Sequence, residues 1–144
     1  MGSSQTTRAS VATGNQRVAY LDSSALVKLI AREPETAALR QELARWPRRV
    51  SSSLAAIEVT RTAQRLGARA TPLAPRVLAG LQRLAIDPIV SAAMSIGSPL
   101  LRSLDAIHLA TAASIRADLG VLITYDRRML ADAGALGLPI ASPR

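Results

Sequence analysis

Four acidic side chains carry the chemistry this sequence has to offer. Asp22 follows the apolar run "VAYL" and Asp126 closes "VLITYD", so each carboxylate stands where a short buried strand would run out. Glu58 falls early in the helical stretch "LAAIEVTRTAQRLG", and Asp105 opens "SLDAIHLATAASIRADLG", the most strongly helical segment of the chain. Each acid also has a local use: Asp22 could introduce a helix, Glu58 could pair with Arg61, Asp105 could cap its helix, and Asp126 could begin a turn. Gathering them is a different matter. Two carboxylates about 4 Å apart repel by roughly 4 kcal/mol at an effective dielectric of 20, so four together call for a cation. Oxygen-only ligation completed by water suits Mg2+ or Mn2+. Zinc would want thiolates or histidines, and the chain has no cysteine and one histidine. A divalent ion held this way activates water and stabilises the leaving oxygen in phosphodiester hydrolysis.

For the four acids to meet, the elements around them must alternate. Apolar runs predict strands at 18–21, 49–52, 85–89, 121–124 and 138–140, with Pro88 placing the third at a sheet edge. Between them lie helical patterns. The first is capped by Ser23 or Ser24 and runs to Ile30, and the second lies within 32–46. A third covers 54–66 and is stopped by Gly67, and shorter ones cover 75–84 and 89–94. A long helix, with Leu104, Ile107, Ile115 and Leu119 on its buried face, ends at Gly120, and a last one covers 127–133. This order predicts an α/β fold of three layers, a short, mostly parallel sheet with helices on both faces. Ligand sites in such sheets lie beyond the carboxyl ends of the strands, which is where Asp22 and Asp126 fall.

The 144 residues suffice for one domain, expected over 17–144 after a polar leader at 1–16 that lacks periodicity. The chain is 49% hydrophobic but has no Phe, one Trp and two Tyr, so its core is aliphatic and base stacking on aromatic rings is a poor mode of binding. The formal charge is +8, and every basic residue except Lys28 is arginine. Such a surface favours polyanions, although scattered arginines also serve simply as a solvated face. No apolar segment is long enough to span a membrane, and residues 1–17 lack the core of a signal peptide, so a cytoplasmic location is expected.

The blocks "VAYLDSSALVKL", "SSSLAAIEVTR", "LDAIHLATA" and "LITYDRRML", in this order, resemble the four motif blocks of PIN-domain ribonucleases, most closely the VapC-type toxins of bacterial toxin–antitoxin pairs. The resemblance extends from Val18 to the end of the chain. It implies an endoribonuclease that leaves a 5′-phosphate and a 3′-hydroxyl, with Asp22, Glu58, Asp105 and Asp126 as catalytic acids and ligands of Mg2+ or Mn2+. It also implies an RNA substrate, a cognate VapB-like antitoxin and a homodimer. Ser23 and Thr124 match supporting hydroxyl positions, Ser23 also being eligible as an N-cap and Thr124 as strand filler. His108, three residues from Asp105 on the same helical face, reads as a packed, hydrogen-bonded side chain rather than a catalytic one. Arg127 and Arg128 could meet an RNA backbone or only water. Two other classes compete. A phosphoacceptor domain also clusters aspartates at strand ends but needs a lysine after a late strand, and the only lysine is Lys28. A PIN-like module that binds RNA or protein without cutting would be expected to have lost one of the four acids.

Overall fold

The computed structural model describes residues 17–144; the leader expected at 1–16 lies outside the described residues. Five strands, β1 (Val18–Leu21), β2 (Arg49–Ser52), β3 (Gln82–Leu84), β4 (Leu119–Ile123) and β5 (Ile140–Ala141), form one sheet in the order β3-β2-β1-β4-β5. Every pairing is parallel. The chain therefore winds outward from β1 to one edge, returns to the centre as β4, and continues to the other edge. The change of direction falls between β1 and β4, whose registers pair Tyr20 with Leu122 and Leu21 with Ile123. At such a switch point the connections leave in opposite directions and open a crevice.

Alternation along the central strands sorts the core into two sides. Ala19, Leu21, Val121 and Ile123 face helices α1 (Ser23–Val27), α2 (Thr36–Leu43), α3 (Leu54–Leu66) and α4 (Leu73–Ala79), burying Leu26, Leu39, Val59 and Leu78. Val18, Tyr20 and Leu122 face α6 (Ser103–Ser114) and α7 (Arg127–Ala135), burying Leu109, Met129 and Ala133. The short α5 (Val90–Ala93) packs on α6. These are the three layers expected, with a sheet parallel throughout.

Several boundaries differ from the sequence reading for physical reasons. The edge strand is Gln82–Leu84 rather than 85–89, because an edge strand can expose Gln82 and Arg83 and so carries little apolar signal. Pro88 lies in a 3-10 turn, Asp87–Ile89, whose opening residues need no N–H donor. The long helix stops at Ser114, and its buried stripe is Ala106, His108, Leu109 and Ala112. Leu104, expected in the core, is 49% exposed.

Gly120 does not end a helix. It lies inside β4, where its missing side chain admits the ring of Trp46. A Cβ there would collide with Trp46 Cζ3 and Cη2, while Trp46 Nε1 is held by Glu42 Oε2 at 2.8 Å. Gly120→Ala is therefore expected to destabilise the protein by about 1–3 kcal/mol through overpacking. Denaturant melts of the variant beside wild type check this; equal midpoints would show that the ring swings away freely.

Candidate active site

Both strand-end aspartates cap the helices that follow them. Asp22 Oδ1 accepts from Ala25 N at 3.0 Å at the start of α1, and Asp126 Oδ1 accepts from Met129 N at 2.9 Å at the start of α7. Each is thus an N-cap with a second oxygen directed elsewhere, so the local use and a site use coexist in one side chain. Ser23, a candidate cap in the sequence, is the first residue of α1 and lines the cleft described below.

Two hydroxyls tie the strand ends together. Thr124 Oγ1 donates to Asp22 Oδ2 at 2.5 Å and accepts from Asp126 N at 3.1 Å, so one side chain fixes both aspartates. Ser24 Oγ donates to Asp22 Oδ1 at 2.7 Å and accepts from Tyr125 N at 2.9 Å. Ser24 was considered in the sequence only as a cap. The register of α1 selects it over Ser23 for this contact, which the serine pair alone does not reveal.

Asp22 is 1% exposed and makes no ion pair among the described residues. Burial pushes its carboxyl above the usual carboxylate range, against the pull of its hydrogen bond from Thr124, the nearby His108 ring, and its hydrogen bonds from Ser24 and Ala25. Its hydrogen bonds do not offset that burial, so a nearby cation would stabilise the charged form further.

The other acids approach from the two helical layers. Asp105, in the first turn of α6, receives no capping bond; its Oδ2 lies 3.3 Å from Arg102 Nε. The same guanidinium reaches Asp126 Oδ2 at 3.5 Å, so Arg102 bridges the two aspartates. Glu58, on α3, accepts from His108 Nε2 at 2.7 Å. All four acids line one cleft of about 680 Å³ with Ser23, Ser24 and Arg102, and Arg61, Thr62 and Arg65 of α3 lie along its side.

The expected convergence is partial. Among the described residues no three His, Cys, Asp or Glu side chains are gathered closely enough to hold a metal ion. The reason is visible in their partners: Asp105 and Asp126 share Arg102, and Glu58 is turned to His108. The donors are nonetheless all carboxylate oxygens, and a cationic group already spans two of them. Arg102 is 71% exposed, so it can turn outward and leave that place to a divalent ion. The donor set thus fits a hard, oxygen-loving cation.

Lys28 is not in this cleft. It caps the end of α1, bonds Glu33 and Glu35, and lies 4.6 Å from the centroid of the Tyr125 ring. That position removes the lysine a phosphoacceptor site would need.

With the geometry described, its relatives can be named. A model of the PIN domain matches residues 19–135. The chain belongs to the PIN-domain family. Ribonuclease VapC46 of Mycobacterium tuberculosis is 47% identical over 125 residues, which span 86% of this chain and 96% of the relative. Ribonuclease VapC47 of the same organism is 41% identical over 130 residues with the same two coverages. Among solved structures, a toxin–antitoxin complex from Klebsiella pneumoniae superposes with a TM-score of 0.63 at 25% identity, over 88% of this chain and 98% of that one. The sarcin–ricin-loop-cleaving toxin VapC20 of M. tuberculosis gives a TM-score of 0.67 at 15% identity, over 87% and 99%, a likeness of fold alone. The acid cleft of this PIN domain is formed at the switch point between β1 and β4 and is closed on either side by α3 and α6.

Proposed function

We propose that this PIN domain, spanning 17–144, is a metal-dependent endoribonuclease toxin that hydrolyses RNA phosphodiester bonds to leave a 5′-phosphate and a 3′-hydroxyl. The single observation that carries the reading is the buried Asp22 carboxylate, without an ion pair among the described residues and tied by Thr124 to Asp126, in a cleft lined by Glu58 and Asp105. Asp22, Glu58, Asp105 and Asp126 are the residues that would hold Mg2+ or Mn2+. Bound there, such an ion lowers the pKa of a water and neutralises charge on the leaving oxygen. The chain itself supplies rigidity and attraction. Thr124 and Ser24 hold the Asp22 oxygens in place, and Arg61 and Arg65, one turn apart on α3, offer cations to phosphates entering the cleft. Arg127 and Arg128 begin α7 directly after Asp126 and are exposed, adding positive charge near that strand end.

The relatives named ribonuclease and the solved toxin–antitoxin complex support this reading over a binding module without catalysis, since all four acids are present. The proposal includes a VapB-like antitoxin whose basic side chain enters the acid cleft, as local charge favours even on a +8 protein. It also includes action in the cytoplasm, and no helix among the described residues is long and apolar enough to cross a membrane. A homodimer completes it: Val90 and the 81% exposed Met94 line an apolar groove with Ile86, Ile96 and Leu101 that a second copy would cover. Light scattering on the pure protein checks the mass.

The deciding experiment incubates pure protein with total RNA in Mn2+, in Mg2+ and in chelator, then maps the new ends. Cleavage in the two metals alone, with 5′-phosphate ends, is expected; cleavage unchanged by chelator would end the metal reading. Arg61→Gln with Arg65→Gln should raise KM for RNA severalfold and leave kcat nearly unchanged, because uniform binding is lost. A fall in kcat alone would take these arginines off the substrate path.

A further inference from the structure

His108 is the only histidine of the chain and is completely buried, yet both ring nitrogens are engaged. Nε2 lies 2.7 Å from Glu58 Oε1 and Nδ1 lies 2.7 Å from the Tyr20 hydroxyl. The partners fix the direction of these bonds. A carboxylate oxygen only accepts, so Nε2 carries a proton, and a ring holding that one proton accepts from the phenol at Nδ1. Burial pushes the Tyr20 phenol up and away from ionisation, so its proton stays available to donate. Tyr20 is itself fully buried and meets the imidazole edge-on, with ring centroids 5.9 Å apart.

The chain of contacts joins three elements that do not otherwise share a layer. Tyr20 belongs to β1 and points into the core beneath α6, His108 belongs to α6, and Glu58 belongs to α3 on the opposite face of the sheet. The His108–Glu58 bond therefore links the two helical layers beyond the strand ends, at the cleft. Glu58 Oε1 is committed to this bond, while Oε2 accepts no protein hydrogen bond among the described residues and Glu58 lines the cleft.

We infer that Tyr20 and His108 form a buried strut that positions the Glu58 carboxylate, His108 in the Nε2–H form holding one oxygen so that the other is presented to the cleft. The inference rests on the ribonuclease reading for what Glu58 does, but the strut has a test of its own. His108 is then a positioning residue, acting through Glu58 and touching no substrate. Buried histidines that only fill space need neither a fixed tautomer nor a carboxylate partner at the edge of a cleft. Partners one step behind a ligand matter in proportion to how well they orient it, and their loss costs about 10–100-fold.

Because there is one histidine, a nitrogen-15 spectrum of the imidazole is assigned without further labelling. In metal-free wild type the proton is expected on Nε2, and in Tyr20→Phe, which removes the donor to Nδ1, it should stay on Nε2 while the Nδ1 resonance moves. A ring protonated on Nδ1 in place of Nε2 overturns the inference, whether or not RNA is cut. The second arm uses kinetics at a temperature where every variant is folded. His108→Leu should lower kcat about 10–100-fold, and His108→Gln, whose amide nitrogen can replace Nε2 as donor, should recover most of it. On a Glu58→Gln background the His108→Leu change should cost nothing more, since its effect passes through Glu58. Additive losses, or equal losses for the Leu and Gln variants, would mean that His108 serves the core alone. Absence of cleavage by wild type would instead defeat the ribonuclease reading and leave the spectrum to decide the strut.

Discussion

Asp105→Asn is expected to leave a folded protein that cuts RNA at least about a hundredfold more slowly. The fold should survive because Asp105 does little for it. It sits in the first turn of α6, accepts no backbone hydrogen bond among the described residues, and has the exposed Arg102 as its partner at 3.3 Å. An exposed pair of this type contributes about 0.2–1 kcal/mol, so the melting temperature should move by no more than a few degrees. The activity should not survive, because the substitution removes one negative charge from the proposed oxygen-only ligand set. Replacing mere outer partners of metal ligands costs about 10–100-fold, and loss of a ligand belongs at or beyond the top of that range. Asp118→Asn, at an exposed position after the same helix, is the control and should cut normally. The measurement is cleavage of one defined RNA alongside thermal melts. Near-normal cleavage by Asp105→Asn would remove Asp105 from the site, and a collapsed melt would show that it supports the fold in a way its contacts do not reveal. The same substitution at Asp126 keeps the cap on α7, since Asn and Asp rank together there, and so tests charge alone.

Asp22 and Asp126 were legible because a buried strand that stops at a carboxylate places that carboxylate at a sheet edge, and parallel order then brings two such edges together. Glu58 and Asp105 were legible as members of motifs, but their partners were not. Nothing local in "SLDAIHLATA" says that His108 will reach across to α3, because that contact spans 50 residues and depends on how two helical layers meet. The choice between Ser23 and Ser24 turns on the phase of a five-residue helix, finer than sequence pattern resolves. Gly120 was misread for the same kind of reason. A glycine after a helical stretch looks like a stop signal, and only the distant ring of Trp46 explains why it belongs in a strand. Leu104 illustrates the converse: its spacing fits a buried face, but near the cleft the helix leaves it half-exposed, lining the wall beside Asp105.

Asp22→Asn should make the metal-free protein more stable at neutral pH than wild type while abolishing its response to Mn2+. In the native fold burial raises the Asp22 pKa above its ordinary value of 3.8. Between that value and the raised one, the folded state holds a proton that the unfolded state has released. Stability then falls as pH rises through this window, and above the folded pKa the full cost of the buried charge remains. Asparagine carries no such cost and can still accept from Ala25 N and Ser24, so the difference in stability between variant and wild type should grow from about pH 4 upward in chelator. Divalent metal reverses the sign for wild type alone. Ligands must be ionised to bind, so stabilisation by Mn2+ increases with pH, reaching about 2.7 kcal/mol at a hundredfold excess over Kd. Thermal melts of both proteins from pH 4 to 8, in chelator and in Mn2+, read all of this at once. If wild type gained stability over Asp22→Asn as pH rose in chelator, the Asp22 pKa would be depressed, and the protein's own hydrogen bonds and charges would already be stabilising the carboxylate that this reading leaves for the metal.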